Sequence, residues 1–497
     1  MTLRRHSHTA TTRSGVERAI EVTQTVLIGL ILAFIFRAFM IEPFIIPTGS
    51  MATALLGAHA TEVCPACGWQ YDFAPLRSNT TTGTGFVCPP RLVCPNCLLT
   101  VEPVAEQTVP RAGDRIIVHK WPYALGGPFA PRRWDVIVFR DPAHPQQHYI
   151  KRLVGLPHET IEIIAGDIFI NGHIARKPAS VQRVLWSIIF DQAHIAPEYT
   201  SSGYLPRWVA APLPANGHGG WSGMKTRLIH YDGLDDVPRT LSFNPDTARE
   251  YMLDLSGYNR RSSGEFVGDI RISAALTLEA GSGNCRLEIV RPPQRFYADL
   301  DTDGTVSLSV APYDDPASAA IFATHKLPPL AADRTITVEF AHVDYRVWLK
   351  INGQQLLATT DADYSPVLED LRHSRRALPT RVRITARDLR LTLGRLRIDR
   401  DVHYTCKPRQ TIRAGTGNPF QLGSDEHFVL GDNSADSHDS REWGSAGPHL
   451  PTDYRLGTVP TNQIVGRAAF VYLPGVLPLD KSGRWFVPDL GRVRFVR

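Results

Sequence analysis

RRWDVIVFRDPAHPQQHYIKRLVGLPHETIEIIAGDIFING, residues 132–172, decides how the rest of the chain is read. It divides into RRWDVIVF, HYIKRLVGL, ETIEII and GDIFING, apolar runs separated by Gly, Pro and Asp, which is the pattern of short β-strands and turns. Asn171-Gly172 marks a tight hairpin, because both residue types tolerate the left-handed backbone that such a turn requires. Outward from this stretch, DRIIVHKW at 114–121 adds a strand upstream, and EHFVLGDN and VGRAAFVYLP return to the same character beyond residue 401. The predicted fold class is mainly β.

The 497 residues suggest about three domains, or one core enlarged by insertions. Hydrophobic residues at 43% and charged residues at 21% describe a folded protein and exclude global disorder. With 54 Lys+Arg against 49 Asp+Glu, the net charge of +5 is too small to imply a nucleic-acid partner, and none is expected. Seven cysteines in a chain of this length exclude a disulfide-dense scaffold.

The compartment is read from residues 22–41, whose centre VLIGLILAFIF is uninterrupted apolar. Twenty helical residues at 1.5 Å each span a hydrocarbon core of about 30 Å. Arg4, Arg5, Arg13 and Arg18 precede it, which predicts a cytoplasmic tail over 1–21, a single transmembrane anchor over 22–41 and an outward-facing remainder. A cleavable secretory signal is the competing reading. Against it, Arg37 and AFMIEPFIIP offer no small-x-small site directly after the apolar run.

After the anchor the chain changes character several times. Residues 42–60 contain Pro47-Thr48-Gly49-Ser50, 61–100 carry five of the cysteines, and 101–180 hold the strands quoted above. Residues 181–400 form a separate alternating unit, with DIRISAALTLEA, TITVEF and DYRVWLKINGQQLL predicting a two-sheet β-sandwich. Residues 401–497 resume the first pattern, so the expected layout is one β domain (42–60, 101–180, 401–497) with insertions at 61–100 and 181–400.

Three segments carry candidate chemistry. Ser50 follows a glycine in a tight turn, which can expose a nucleophilic hydroxyl, although Gly-Ser is also a common surface turn. Lys151 sits in HYIKRLVGL on a strand face shared with Tyr149 and Leu153. Burial beside apolar groups lowers an amine's pKa toward that of a useful base, while an exposed lysine lying over the sheet fits the same pattern. GDNSADSHDSREWG, residues 431–444, is dense in short hydroxyl and carboxyl side chains that lock loops, with Asp439 and Arg441 as a candidate ion pair.

Together PTGSM, GDRIIVHK with RRWDVIVFRDP, YIKRLVGLP and GDNSADSHDSREWG resemble the type I signal peptidases, membrane-anchored serine endopeptidases with a Ser-Lys dyad. The resemblance implies a signal-peptidase-like β catalytic domain, with Ser50 as nucleophile and Lys151 as general base. Ser437 would orient the lysine, Asp439 and Arg441 would support that loop, and Thr48 with the Ser50 N–H would meet the oxyanion. Phe44, Ile46, Met51, Leu55, Tyr149 and Ile150 would line shallow pockets for small side chains, giving cleavage after Ala-x-Ala. It implies preproteins bearing signal peptides and membrane lipid as partners, a cytoplasmic (inner) membrane location, and no cofactor for catalysis. Two positions depart from the family pattern: Thr53-Ala54 replaces its usual Pro-Thr, and Ser434 its usual Arg. The first is expected to alter the segment leaving the nucleophile, the second to loosen the support loop.

Cys64-Pro-Ala-Cys67 and Cys94-Pro-Asn-Cys97, with 26 residues between them, are the two knuckles of a zinc ribbon. Disulfide pairing competes in an oxidising compartment, and Cys88 is an alternative ligand. Four thiolates leave no open position, so a zinc here is structural. Asp299-x-Asp301-x-Asp303-Gly304 imitates a calcium loop, but Val310 stands where the loop needs glutamate, and the flanking alternation predicts a hairpin. The VDYRVWLKING hairpin is similar to those of concanavalin-like folds. Two alternatives stay open. One is a self-cleaving repressor-type peptidase, which also uses Ser-Lys on a β fold but is opposed by the anchor and by the absence of a DNA-binding module. The other is a non-enzymatic membrane-anchored binding protein with a lectin-like sandwich.

Overall fold

The computed structural model describes residues 15–80, 83–102, 110–195, 206–211, 219–244, 258, 265–373, 379–406, 412–478 and 486–497. Arg4, Arg5 and Arg13 of the predicted basic flank lie outside these residues. One helix, Gly15–Phe39, is long and apolar enough to cross a membrane from Arg18 onward. Its Val26, Ile28, Leu32 and Phe34 side chains point outward without protein cover, a surface that lipid solvates and water does not. The helix starts earlier and ends sooner than the predicted 22–41, because Ile41–Ile45 has left it to become a strand.

That strand is the edge of a seven-stranded antiparallel sheet. Its path runs Ile41–Ile45, Arg115–His119, Ile464–Leu473, Val136–Arg140, His148–Gly155 and Phe428–Leu430, with Arg494–Phe495 paired to Ile464–Leu473. Alternation along a strand sends neighbours to opposite faces. Val136 and Val138 accordingly join a core with Ile46, Met51, Leu55, Ile116 and Ile150, while Ile137 and Phe139 join Leu153, Val429 and Trp443. Covered on both sides, VIVF is buried throughout, as its β-branched run requires.

A smaller sheet follows, His173–Ile174, Asp167–Ile170, Thr160–Ile164 and Phe420–Gln421. Its Asn171-Gly172 turn has φ of 51° and 81°, the left-handed pair expected there. The Ala179–Leu185 helix packs Val181 and Leu185 into this sheet's core, so the chain changes core near Trp186.

The insertion is not two separate sheets. It is one 13-stranded sheet bent over itself around Ile270–Arg291 and Arg381–Arg400, which pair along nearly their whole length. Register shifts at Ser273/Ala275, Leu278/Ala280 and Gly281/Asn284 let both strands bend, so their two halves face each other across one core. Ser187 pairs with Arg400, which brings the insertion's entry and exit together. The Gln294–Asp301 and Thr305–Pro312 hairpin closes at Asp301–Gly304 as read from the alternation. At the seam with the small sheet, Lys177 contacts Asp344 and lies 2.8 Å from Asp401, while Arg291 lies 2.9 Å from Asp167 and 3.0 Å from Asp269.

The cysteine segment forms the hairpins Ala60–Val63 with Gln70–Phe73 and Leu92–Val93 with Thr100–Val101. It packs on the bent sheet rather than standing apart. Asp191 N–H donates to Asn96 Oδ1 at 2.7 Å, Arg207 donates to the Asn96 carbonyl at 3.0 Å, and Trp69 meets His194 edge-on at 4.6 Å.

Candidate active site

Ser50 lies in a single 3-10 turn, Gly49–Met51, and is buried with Met51. Thr48 enters the turn in extended conformation, φ −125° and ψ 159°, with its side chain exposed and making no capping bond. The segment leaving the serine is a compact turn, not a strand. Leu55 N–H donates to the Met51 carbonyl at 2.8 Å, and Leu56 N–H to Asp114 Oδ2 at 3.0 Å. Thr53-Ala54 therefore sits in a loop anchored by Asp114.

The central strand His148–Gly155 brings Lys151 to this turn. Lys151 Nζ donates to Ser50 Oγ at 2.7 Å and to the Ile150 carbonyl at 3.2 Å, and lies 5.5 Å from the Tyr149 ring centre. Burial lowers its pKa from 10.5 to about 8, and Asp439 and Asp432 oppose part of that effect. A substantial share of the amine is then neutral at mildly alkaline pH, able to accept a proton from the hydroxyl it touches.

The 431–444 loop closes the site from behind. Asp439 takes Gly431 N–H at 3.0 Å and binds Arg441 through both oxygens at 2.8 Å. Burial pushes the Asp439 carboxyl up, but Arg441 together with the Gly431 N–H and Ser437 holds the group below its ordinary pKa. Ser434 is part of this lock: its hydroxyl accepts from Arg441 and from Thr405 N–H, each at 2.8 Å. Serine at this position thus ties the loop rather than loosening it. Ser437 is buried in the same loop, but its hydroxyl is not a partner of the lysine, whose bonds go to Ser50 and the Ile150 carbonyl.

Of the six predicted pocket residues, Ile46, Met51, Leu55, Ile150 and Phe44 share one apolar cluster, and Tyr149 packs on the other face with Phe139. Three supports escaped the sequence reading. Arg152 makes a paired bond to Asp432, 2.7 Å at each arm, tying the lysine strand to the 431–444 loop. Asn433 donates its side-chain amide to the Gly49 carbonyl at 2.9 Å and its N–H to the Ser50 carbonyl at 3.0 Å. Tyr258, far along the chain, packs on Ala52 and Leu56. A charged residue within a buried strand was the available signal for Arg152; nothing local flags the other two.

The sulfurs of Cys64, Cys67, Cys94 and Cys97 all lie within 4.8 Å of one another, with Cys64–Cys97 at 3.5 Å and Cys67–Cys94 at 3.7 Å. These separations are too long for disulfides and near the ~3.8 Å edge of a tetrahedron with ~2.3 Å metal–sulfur bonds. The donor set fits a closed, structural metal site.

A hydroxyl and a buried amine in contact on an antiparallel scaffold are the makings of a serine-type peptidase site. The model of the family described as signal peptidase, peptidase S26, matches residues 101–191 and 348–473. These segments are similar to that family, and they make up less than half of the chain. Signal peptidase I of Pseudomonas fluorescens is 40% identical over 70 residues, 12% of this chain and 25% of that protein. Signal peptidase I of Rickettsia canadensis is 28% identical over 147 residues, 28% of this chain and 38% of that one. The chain thus spans between a quarter and two-fifths of these relatives. The break after 191 falls at the bent sheet, although the second matched segment opens at 348, still inside that sheet, and the serine's own sheet resumes only at Phe428. Among solved structures, the carbohydrate binding module CBM66 from Bacillus subtilis overlaps 39% of this chain and 95% of that one, at 10% identity and a TM-score of 0.26.

Proposed function

We propose that this chain acts as signal peptidase I, a single-pass enzyme of the cytoplasmic membrane that removes N-terminal signal peptides from exported proteins after small residues. The observation that carries the reading is the 2.7 Å bond between Lys151 and Ser50, formed within a buried setting by segments 101 residues apart. Neutral Lys151 takes the Ser50 proton as Oγ attacks the scissile carbonyl. The oxyanion meets the Ser50 N–H and the Thr48 hydroxyl. Collapse of the intermediate expels the new amine, which takes the proton from Lys151, and leaves an acyl-enzyme. Lys151, neutral again, then deprotonates the water that attacks the acyl carbonyl and returns that proton to Ser50 Oγ as the signal peptide leaves.

Phe44, Ile46, Met51, Leu55 and Ile150 form the shallow apolar floor that admits alanine-sized side chains, and Tyr149, on the other face of the strand, flanks the lysine. Asp439 and Arg441 stiffen the loop behind the lysine, with Ser437 beside them. The apolar helix holds the site near the bilayer, where the end of a substrate's own apolar segment emerges, with residues 1–21 in the cytoplasm. Cys64, Cys67, Cys94 and Cys97 hold a structural zinc; catalysis uses none. The test is cleavage of a purified preprotein in detergent: the parent chain should cut after the small-x-small site, and Ser50→Ala and Lys151→Met should each abolish it. Cleavage by Lys151→Met at near-parent rate would refute the mechanism.

A further inference from the structure

Tyr258 lies between the Arg239–Phe243 and Ile270–Arg291 strands of the insertion, yet its buried ring sits on the turn that carries Ser50. A Cβ built on Gly49 would fall 2.0 Å from Tyr258 Cε1 and 2.9 Å from Cδ1 and Cζ. Gly49 is therefore required for space: the ring occupies the volume that any other residue's side chain would need. The Tyr258 hydroxyl donates to the Ala58 carbonyl at 2.7 Å, so one side chain braces both limbs of the 47–58 loop. Asn433 grips the opposite side through the Gly49 and Ser50 carbonyls. The serine's backbone is thus clamped between a loop of the catalytic sheet and a residue of the insertion.

We propose that Tyr258 is a positioning residue for Ser50, making peptidase action depend on the insertion; the proposal rests on Ser50 and Lys151 acting as above. Displacing a reacting group by ~1 Å costs on the order of 100-fold in rate, so a brace at Gly49 acts on the chemical step more than on substrate affinity.

The full-length chain tests this in two ways. Tyr258→Phe keeps the ring and loses the Ala58 bond, and should lower kcat for a preprotein about threefold to tenfold with KM within about twofold. Tyr258→Ala should cost about 30-fold or more. Separately, Ser50→Cys places a thiol beside Lys151, and its alkylation by iodoacetamide is followed by peptide mass mapping against pH. Adding Tyr258→Phe or Tyr258→Ala should shift that pH profile and change the alkylation rate of the introduced thiol at least about threefold. The thiol reading needs no proteolysis, so a chain that cuts no preprotein refutes the proposed function while still reporting on Tyr258. A Tyr258→Phe protein with kcat and the thiol's pH profile both within about twofold of the parent would overturn the brace, whether or not Tyr258→Ala folds.

Discussion

Arg152 and Asp432 meet in a fork-to-fork pair, 2.7 Å at each arm, with both side chains buried. The arginine follows Lys151 and points to the opposite face of its strand, so the pair joins the base's strand to the loop behind it without touching the reacting groups. Arg152 also donates to the Trp134 carbonyl at 2.8 Å, which leaves little of its guanidinium unsatisfied. Removing one member strands a buried charge, so Asp432→Asn is expected to cost roughly 3–5 kcal/mol of stability. Denaturant unfolding measures this; a loss below about 1 kcal/mol would show that the pair is not the tie described.

The Lys151 amine should make activity rise with pH, half-maximal near its pKa of about 8. The stability effect has the same direction. The folded amine titrates at about 8 and the unfolded one at 10.5, so between them the unfolded chain holds more protons, and stability rises with pH across that window. Below about 8 the full penalty applies, about 3 kcal/mol. Lys151→Met should therefore be inactive yet more stable than the parent at pH 7, as read by thermal unfolding. An inactive variant that is also much less stable would contradict the burial penalty.

Thr48 offers a hydroxyl one residue before the Gly49–Met51 turn. Thr48→Ala should lower kcat about 100- to 1,000-fold, and Thr48→Ser should keep most of the activity. Equal activity in all three proteins, measured at saturating preprotein, would remove Thr48 from the oxyanion site.

The four-thiolate site should hold about one zinc per chain, measured on protein prepared without added metal. Because Asn96 lies two residues after Cys94 and bonds Asp191 N–H, chelation should also speed amide exchange at Asp191 on the neighbouring sheet. Metal-free protein with these cysteines oxidised would replace the zinc site by disulfides.

Much of the site was legible because it depends on local pattern. A serine after glycine, a lysine in an apolar strand and two Cys-Pro-x-Cys knuckles are recognisable within a few residues of themselves. The Asn171-Gly172 turn was readable because left-handed geometry selects those residue types. What stayed hidden is non-local. Alternation over 181–400 identifies strands but does not say that two of them bend to serve both layers, since a bulge leaves little trace in composition. The ribbon and the bent sheet read as independent insertions because the Asn96–Asp191 contact spans 95 residues. Joining 181–400's neighbours with a short linker is expected, on the sequence alone, to preserve peptide cleavage; the structure predicts otherwise, since that deletion removes the ring packed on Gly49.

The order of strands in the seven-stranded sheet sets when the site can exist. Ile464–Leu473 lies between Arg115–His119 and Val136–Arg140, so the middle of the sheet is made long after the two strands that it separates. Ribosomes add roughly 5–20 residues per second, and pairing across such distances is slow to nucleate. A nascent chain halted between residues 151 and 464 has Ser50 and Lys151 but lacks the strand that joins Arg115–His119 to Val136–Arg140. The contact between Ser50 and Lys151 is therefore expected to become fixed only once Ile464–Leu473 has been made and has paired with both of its neighbours.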